Sequence, residues 1–314
     1  MWEMASQRMA FGRTLVEIGR ENTDLVVLGA DLSSSTKTRL FEKEFPERFF
    51  NCGIAEANMM GVAAGLAASG KTVVASTFAV FATGRCYDQI RQSIAYPRLN
   101  VKIVASHAGI TVGGDGASHQ TAEDIALMKV LPNMRVVVPA DAIETSKATR
   151  AIIESEGPYY MRMGRSDVPT ITSEDDKFEL GKASIMRDGS DVAIIGTGIM
   201  VSQALKAAEM LRHEGIDAMV VNMSTIKPLD EETTIKAARR TGAVVTAEEH
   251  SVIFGLGNSV AMTLGEKYPV PIRRVGIPDT FGESGNWDEL MVKYGLTPEN
   301  IVSAAKEVIK KKEE

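Results

Sequence analysis

Val101-Lys-Ile-Val-Ala-Ser106 runs directly into His107-Ala-Gly-Ile-Thr-Val-Gly-Gly-Asp-Gly-Ala-Ser-His-Gln120. The first segment reads as a buried strand and the second as a Gly-rich loop. A short apolar strand ending in a polar loop, with helix signals on either side, is the repeating unit of a helix-covered parallel sheet. The loop holds two of the chain's four histidines, and His107 and His119 bracket Asp115. Its glycines let backbone approach a ligand closely. Two imidazoles and a carboxylate can then grip a polyhydroxylated, negatively charged molecule. A loop that serves packing alone rarely needs that combination.

Outward from this junction, the same alternation continues in both directions. Upstream, Arg8 to Glu21 has Phe11, Leu15 and Ile18 on one helical stripe, and Leu25-Val-Val-Leu28 is a buried-strand run closed by Gly29. A helix over Glu56 to Ala68 follows, whose Gly61, Ala64 and Ala68 face suits close packing against another helix. Strand Thr72 to Ala75 and a helix near Gly84 to Tyr96 complete the approach to Val101. Downstream, helix Ala122 to Val130, strand Val136 to Val138 and helix Ala142 to Glu154 extend the pattern. The polar stretch Thr170 to Lys177 reads as a linker, after which the alternation restarts at Asp191-Val-Ala-Ile-Ile195. A helix with Val201, Leu205, Ala208 and Leu211 on one face comes next, then strand Ala218 to Asn222 and a helix to Arg240. Strand Ala243 to Ala247, helix Leu256 to Lys267 and strand Ile272 to Val275 finish a smaller unit. The expectation is α/β, with two α/β domains: residues 1–170, a linker over 171–183, and residues 184–314. The lysine-rich tail through Glu314 reads as a frayed helix end.

Composition narrows the function classes. With 314 residues, 44% hydrophobic and 24% charged, the chain can bury more than one core. A net charge of −6 and no basic stripe argue against nucleic acid. No apolar run approaches the roughly 18 residues of a membrane span. The first residues lack a hydrophobic signal core, so a cytoplasmic location is expected. Cys52 and Cys86 have no metal-ligand spacing and read as reduced thiols.

Several motifs have a plain reading and a functional one. Gly114-Asp115-Gly116 invites a metal–diphosphate reading, but such a motif closes on an Asn, and Asn133 comes too early. Gly196-Thr-Gly198 follows a strand as a dinucleotide turn would, yet the third glycine of that fingerprint is missing, which leaves a tight strand-to-helix turn. Glu56 in Asn51-Cys-Gly-Ile-Ala-Glu56 could be an ordinary acid at a helix N-terminus. The helix is so apolar, however, that the acid is expected to be buried, and buried acids have partners or tasks. Phe78 and Phe81 would by themselves be core.

Taken in order, these strings resemble the C-terminal half of transketolase. The matching pieces are Gly29-Ala-Asp-Leu-Ser-Ser-Ser35, Gly53-Ile-Ala-Glu56, Ser76-Thr-Phe-Ala-Val-Phe81, the 107–120 loop and Gly157-Pro-Tyr-Tyr-Met-Arg-Met-Gly-Arg165. Pro228-Leu-Asp230 and Glu248-Glu-His-Ser251 look like the family's C-terminal domain. The resemblance implies a thiamine-diphosphate pyrimidine-binding domain followed by that smaller domain. It places Glu56 at N1′ of the cofactor's aminopyrimidine, where protonation favours the imino form that deprotonates the thiazolium. Phe78 and Phe81 match the aromatic wall against the pyrimidine, and Asp31 an acid near the thiazolium. The family's third aromatic has no counterpart in Thr83-Gly-Arg-Cys-Tyr87. His119 and Asp115 match the grip on ketose hydroxyls, while Arg8, Ser35, His107 and Arg165 match the sugar-phosphate clamp. Arg162 is a further candidate for that clamp.

The family's diphosphate and divalent metal, such as Mg, are held by an N-terminal domain that this sequence does not supply. The resemblance is therefore to the C-terminal subunit of a split, two-chain transketolase. It implies a separate N-terminal subunit carrying the diphosphate and metal site, a heterotetramer, and ketol transfer between sugar phosphates of the pentose phosphate type. No metal ligand is expected on this chain. The alternatives are the β subunit of a 2-oxo acid dehydrogenase and a non-catalytic scaffolding subunit. The His-x₁₁-His loop and the phosphate-binding pattern favour sugar phosphates.

Overall fold

A computed structural model describes residues 2–313. Seven strands form the first sheet, in the order Thr225–Lys227, Arg135–Val137, Tyr159–Arg162, Val101–Ala105, Thr72–Ser76, Leu25–Gly29 and Phe49–Asn51. All neighbours are parallel except Thr225–Lys227, which runs antiparallel to Arg135–Val137. A second, five-stranded sheet has the order Ile272–Ile277, Val244–Ser251, Val192–Gly196, Ala218–Asn222 and Ser184–Arg187, the last antiparallel. This is the α/β architecture that the alternation implies.

Both faces of the first sheet are covered, which is why its strands read as continuous aliphatic runs. Leu25 and Val27 enter the core shared with Phe11, Leu15 and Ile18 of the Gln7–Glu21 helix. Val26 and Leu28 enter the opposite core with Met59, Met60 and Ala63 of the Glu56–Ala68 helix. That second core does not stop at the linker. Val136 and Val138 share it with Ala193, Ile195, Val221 and Ile226 of the downstream half. At about 1.5–3 kcal/mol for each large aliphatic removed from water, this continuity joins the two sheets firmly.

Several sequence expectations need revision. The segment near Gly84 to Tyr96 is no single α-helix: Phe81–Arg85 and Ile90–Ala95 are π-helical turns around a short α-helical Tyr87–Gln89. Of the Gly61, Ala64 and Ala68 face, only Ala64 is buried, and Gly61 and Ala68 point outward. The polar linker is held in place, since Asp141 accepts from the backbone of Ile171 (2.7 Å) and Thr172 (2.6 Å). The Thr225–Lys227 strand, downstream of the linker, adds to the upstream sheet. The tail is not frayed through Lys312, because a helix runs over Pro298–Glu313 and Lys312 donates to Thr241 O at 2.7 Å. Glu314 lies outside the described residues.

Candidate active site

In open parallel sheets, ligands bind beyond the carboxyl ends of the strands. Asp31 follows Leu25–Gly29, Phe78 follows Thr72–Ser76, His107 follows Val101–Ala105, and Arg165 follows Tyr159–Arg162. Strand register thus brings Phe78, His107 and Arg165, distant in sequence, to one end of the sheet. Glu56 comes from the start of the helix after the Phe49–Asn51 strand, and Arg8 from the first turn of the Gln7–Glu21 helix.

Glu56 is only 4% exposed. Its two carboxylate oxygens lie 3.3 and 3.2 Å from one guanidinium nitrogen of Arg85, whose guanidinium carbon sits 4.1 Å from the Phe81 ring centroid. Phe78 and Phe81 stack with centroids 5.8 Å apart, and the His107 ring stacks on Phe78 at 3.7 Å. His119 meets Phe81 edge-on at 5.4 Å and Phe78 at 6.4 Å. The aromatic pair therefore meets both loop histidines directly and the buried acid through Arg85. Burial, reinforced by Arg8, Arg165 and His119, pushes the His107 pKa down to about 3. His107 is accordingly a neutral imidazole, with Nδ1 2.9 Å from Ser106 Oγ. Its backbone has φ of +59°, which turns the chain out of the strand.

Arg8 donates to Ser35 O at 2.9 Å and to Arg165 O at 2.6 Å, tying three of the sequence candidates into one unit. The Arg8 Nε is buried without a hydrogen-bond partner among the described residues. Burial and the neighbouring Arg165 lower the Arg8 pKa, against the opposing pull of Asp167, as expected for two cations held close together. Arg165 donates to Val112 O at 2.6 Å and lies 3.6 Å from Asp115. An open hollow of about 510 Å³ is lined by both arginines together with Asp167, Asn286 and Trp287. Gly12 permits this assembly: a Cβ there would lie 2.6 Å from Lys37 O, so the helix carrying Arg8 could not approach the end of the short Ser33–Thr36 helix that holds Ser35.

Asp31 stands apart from this cluster. It is exposed, with φ of +60°, and exchanges hydrogen bonds with Asn51 at 3.0 and 3.3 Å. Arg162 leaves the clamp altogether. It is 4% exposed, bonded to Asp124 at 2.8 Å and to Glu249 O at 3.0 and 3.1 Å, so no ligand can reach its fork. Sequence reasoning did not find Arg85, because the third aromatic was sought there. It also did not find the 282–287 segment, which buttresses the Gly-rich loop: Gln120 donates to Glu283 O at 2.9 Å, and Ser284 packs on Gly116. No short-range pattern announces a contact across more than 160 residues.

Two families of domain match the chain: transketolase, pyrimidine binding domain, over residues 3–170, and transketolase, C-terminal domain, over residues 181–301. The chain belongs to the transketolase family. It is 52% identical to a chain of Methanocaldococcus jannaschii named as a transketolase C-terminal section, over 97% of this chain and 96% of that one. It is 48% identical to a 6-deoxy-6-sulfo-D-fructose transketolase subunit of a Clostridium species, over 95% of this chain and 92% of that one. Among solved structures it is similar to a split gene transketolase described as an inactive beta4 tetramer. That match has a TM-score of 0.92 and 56% identity, covering 97% of this chain and 98% of the other. The transketolase of Leishmania mexicana superposes with a TM-score of 0.84 at 26% identity, and there this chain spans 46% of the longer protein. The chain is thus a split transketolase-type subunit, with the pyrimidine-binding domain that marks the thiamine diphosphate family.

Proposed function

We propose that this chain is the C-terminal subunit of a thiamine-diphosphate-dependent transketolase, active only with a separate subunit that holds the cofactor's diphosphate and divalent metal. The observation that carries the reading is the single cluster at the carboxyl ends of the first sheet. There a buried acid, an aromatic pair, two histidines and two arginines meet. A nearly fully buried carboxylate beside stacked aromatic rings suits a planar, protonatable heterocycle. When bound, thiamine diphosphate supplies the nucleophilic carbon and the electron sink that ketol cleavage needs.

The chain's residues take the remaining roles. Glu56 holds a proton at the pyrimidine N1′, and Phe78 and Phe81 offer the ring an apolar face. Asp31, outside the cluster, is the acid assigned to the thiazolium end. Asp115 and His119 hydrogen-bond the ketose hydroxyls and orient them for proton transfer. Arg8, Ser35, His107 and Arg165 hold the terminal anion. A neutral His107 can donate one hydrogen bond without adding a third desolvated cation. The sugars are a ketose phosphate donor and an aldose phosphate acceptor, as in the pentose phosphate pathway. Two relatives carry names for other sugars, 6-deoxy-6-sulfo-D-fructose and apulose 4-phosphate, so the clamp suits a terminal anion more broadly. Two adjacent arginines favour such substrates over a 2-oxo acid.

Residues 1–170 form the pyrimidine-binding domain in this reading, 171–183 the linker and 184–314 the C-terminal domain. Ile54, 79% exposed, and Val62 lie with Gly61, Gly65 and Ala68 on an outward apolar face that supports self-association. A heterotetramer in the cytoplasm, with two copies of each subunit, completes the proposal.

The test is reconstitution with the diphosphate-binding chain, a product of about 270–300 residues by domain size, followed by a ketol-transfer assay with thiamine diphosphate and Mg. The pair is expected to be active and the isolated chain inactive. Glu56→Gln should lower turnover by about 10²–10⁴, the usual worth of a placed proton carrier, with fold and cofactor affinity retained. Turnover close to that of the unmodified pair would sink the assignment.

A further inference from the structure

Arg85 makes two contacts that the proposed reading reserves for the cofactor. Its guanidinium sits 3.2–3.3 Å from both oxygens of Glu56, and it lies over the Phe81 ring at 4.1 Å. One planar cation is thus paired with the buried carboxylate and stacked on the aromatic wall. A protonated aminopyrimidine would need the same carboxylate and the same ring. We propose that Arg85 is a displaceable stand-in for the aminopyrimidine, holding Glu56 and Phe81 in place before the cofactor arrives and withdrawing when it docks. This inference rests on the thiamine diphosphate reading above.

The chemistry of the two partners explains why such a device is needed and why it can move. Glu56 is 4% exposed, and an unpaired carboxylate at that depth is costly. Among the described residues, Arg85 supplies the only hydrogen bonds to that carboxylate. The Arg85 side chain is itself 55% exposed, so it has solvent to return to once another donor takes Glu56. Its backbone belongs to the π-helical Phe81–Arg85 turn, and a Cβ on the adjacent Gly84 would meet nothing within 4 Å. Turns of that kind recur at functional sites. The half-exposed guanidinium therefore has solvent beside it into which it can withdraw. An ion pair with one exposed partner and a single cation–π contact are each weak enough for a ligand to displace.

The consequence is a penalty on cofactor binding that disappears with the side chain. The experiment is calorimetric titration of thiamine diphosphate, with Mg present, into the reconstituted two-subunit complex carrying wild-type or Arg85→Met chain. Arg85→Gln serves as a second variant should the methionine chain not fold. Circular dichroism and assembly size confirm that the compared complexes are intact. Relief of an ion pair whose guanidinium is half-exposed, and of one cation–π contact, predicts a Kd tightened about threefold to tenfold in the variant. An unchanged or weaker Kd overturns the stand-in and makes Arg85 a fixed part of the pyrimidine wall. Absence of saturable binding by the wild-type complex overturns the cofactor reading and the stand-in with it.

Discussion

Arg162→Met tests a buried polar assembly between the two halves of the chain. Arg162 reaches across the junction: Nε bonds Asp124 Oδ2 at 2.8 Å, and both terminal nitrogens bond Glu249 O at 3.0 and 3.1 Å. Tyr160 adds its hydroxyl to the same Asp124 oxygen at 2.6 Å. Burial works against the guanidinium's charge, but Asp124, Glu249 and Tyr160 outweigh it, and the Arg162 pKa is raised. Methionine keeps most of the aliphatic volume and removes the cation. Breaking a buried pair by deleting one partner costs about 3–5 kcal/mol. The orphaned Glu249 carbonyl adds about 1–3 kcal/mol, and the remaining Tyr160 bond offsets part of this. A net loss of about 4 kcal/mol is expected, a large share of the roughly 5–15 kcal/mol that holds a domain folded. The assay is urea unfolding of the purified chain at pH 7, at one fixed concentration because any self-association would contribute to apparent stability. The double variant Arg162→Met/Asp124→Asn should recover about 2 kcal/mol, since the Asp124 carboxylate, the group bonded directly to the guanidinium, is then no longer a stranded charge. A single variant that loses under about 1 kcal/mol, or a double variant no better than the single, would refute the reasoning.

Lys102 is fully buried on a central strand, with Nζ donating to Ser155 O at 2.5 Å and to Gly157 O at 2.7 Å. Burial lowers its pKa to about 7, so between there and the ordinary lysine value the unfolded chain holds a proton that the folded chain lacks. Stability should therefore rise with pH from about 7 toward 10.5, and Lys102→Met should flatten that slope; parallel denaturation profiles would contradict it. Asp141 caps the Ala142–Glu154 helix at Glu144 N and accepts three further bonds from Ile171 and Thr172. Asp141→Ala should cost about 3 kcal/mol in urea unfolding and increase proteolysis within residues 171–183. Gly109→Ala would place a Cβ 2.1 Å from Glu249 Oε1 at φ of +76°. That variant should lower the thermal midpoint by several degrees and raise the KM of the reconstituted pair for its ketose, because the same loop carries Asp115 and His119.

The local grammar of the chain was readable before folding wherever one short segment carried the signal. The Glu56–Ala68 and Leu256–Lys267 helices fall where the apolar pattern places them, and Val101–Ala105 is the strand that opens the histidine loop. The candidates were legible because strand ends are where chemistry gathers, and Gly, His, Asp and Arg at those ends have little packing value. The short edge strand Phe49–Asn51, by contrast, was too brief to register. Thr225–Lys227 was also hidden, because its partner Arg135–Val137 lies about ninety residues upstream.

By itself, then, the sequence settled the α/β class and the family and offered a set of candidate site residues, since each rests on periodicity or on a contiguous motif. Folding decided which of them share a space. Arg162 and Arg165 are three positions apart on an extended segment, yet one is sealed under Glu249 and the other opens on a hollow with Arg8. Arg85 sits twenty-nine residues from Glu56 and reaches it only because a π-helical turn aims it there. Contacts of that kind depend on strand register and on which groups can be dried together, and one-dimensional spacing encodes neither.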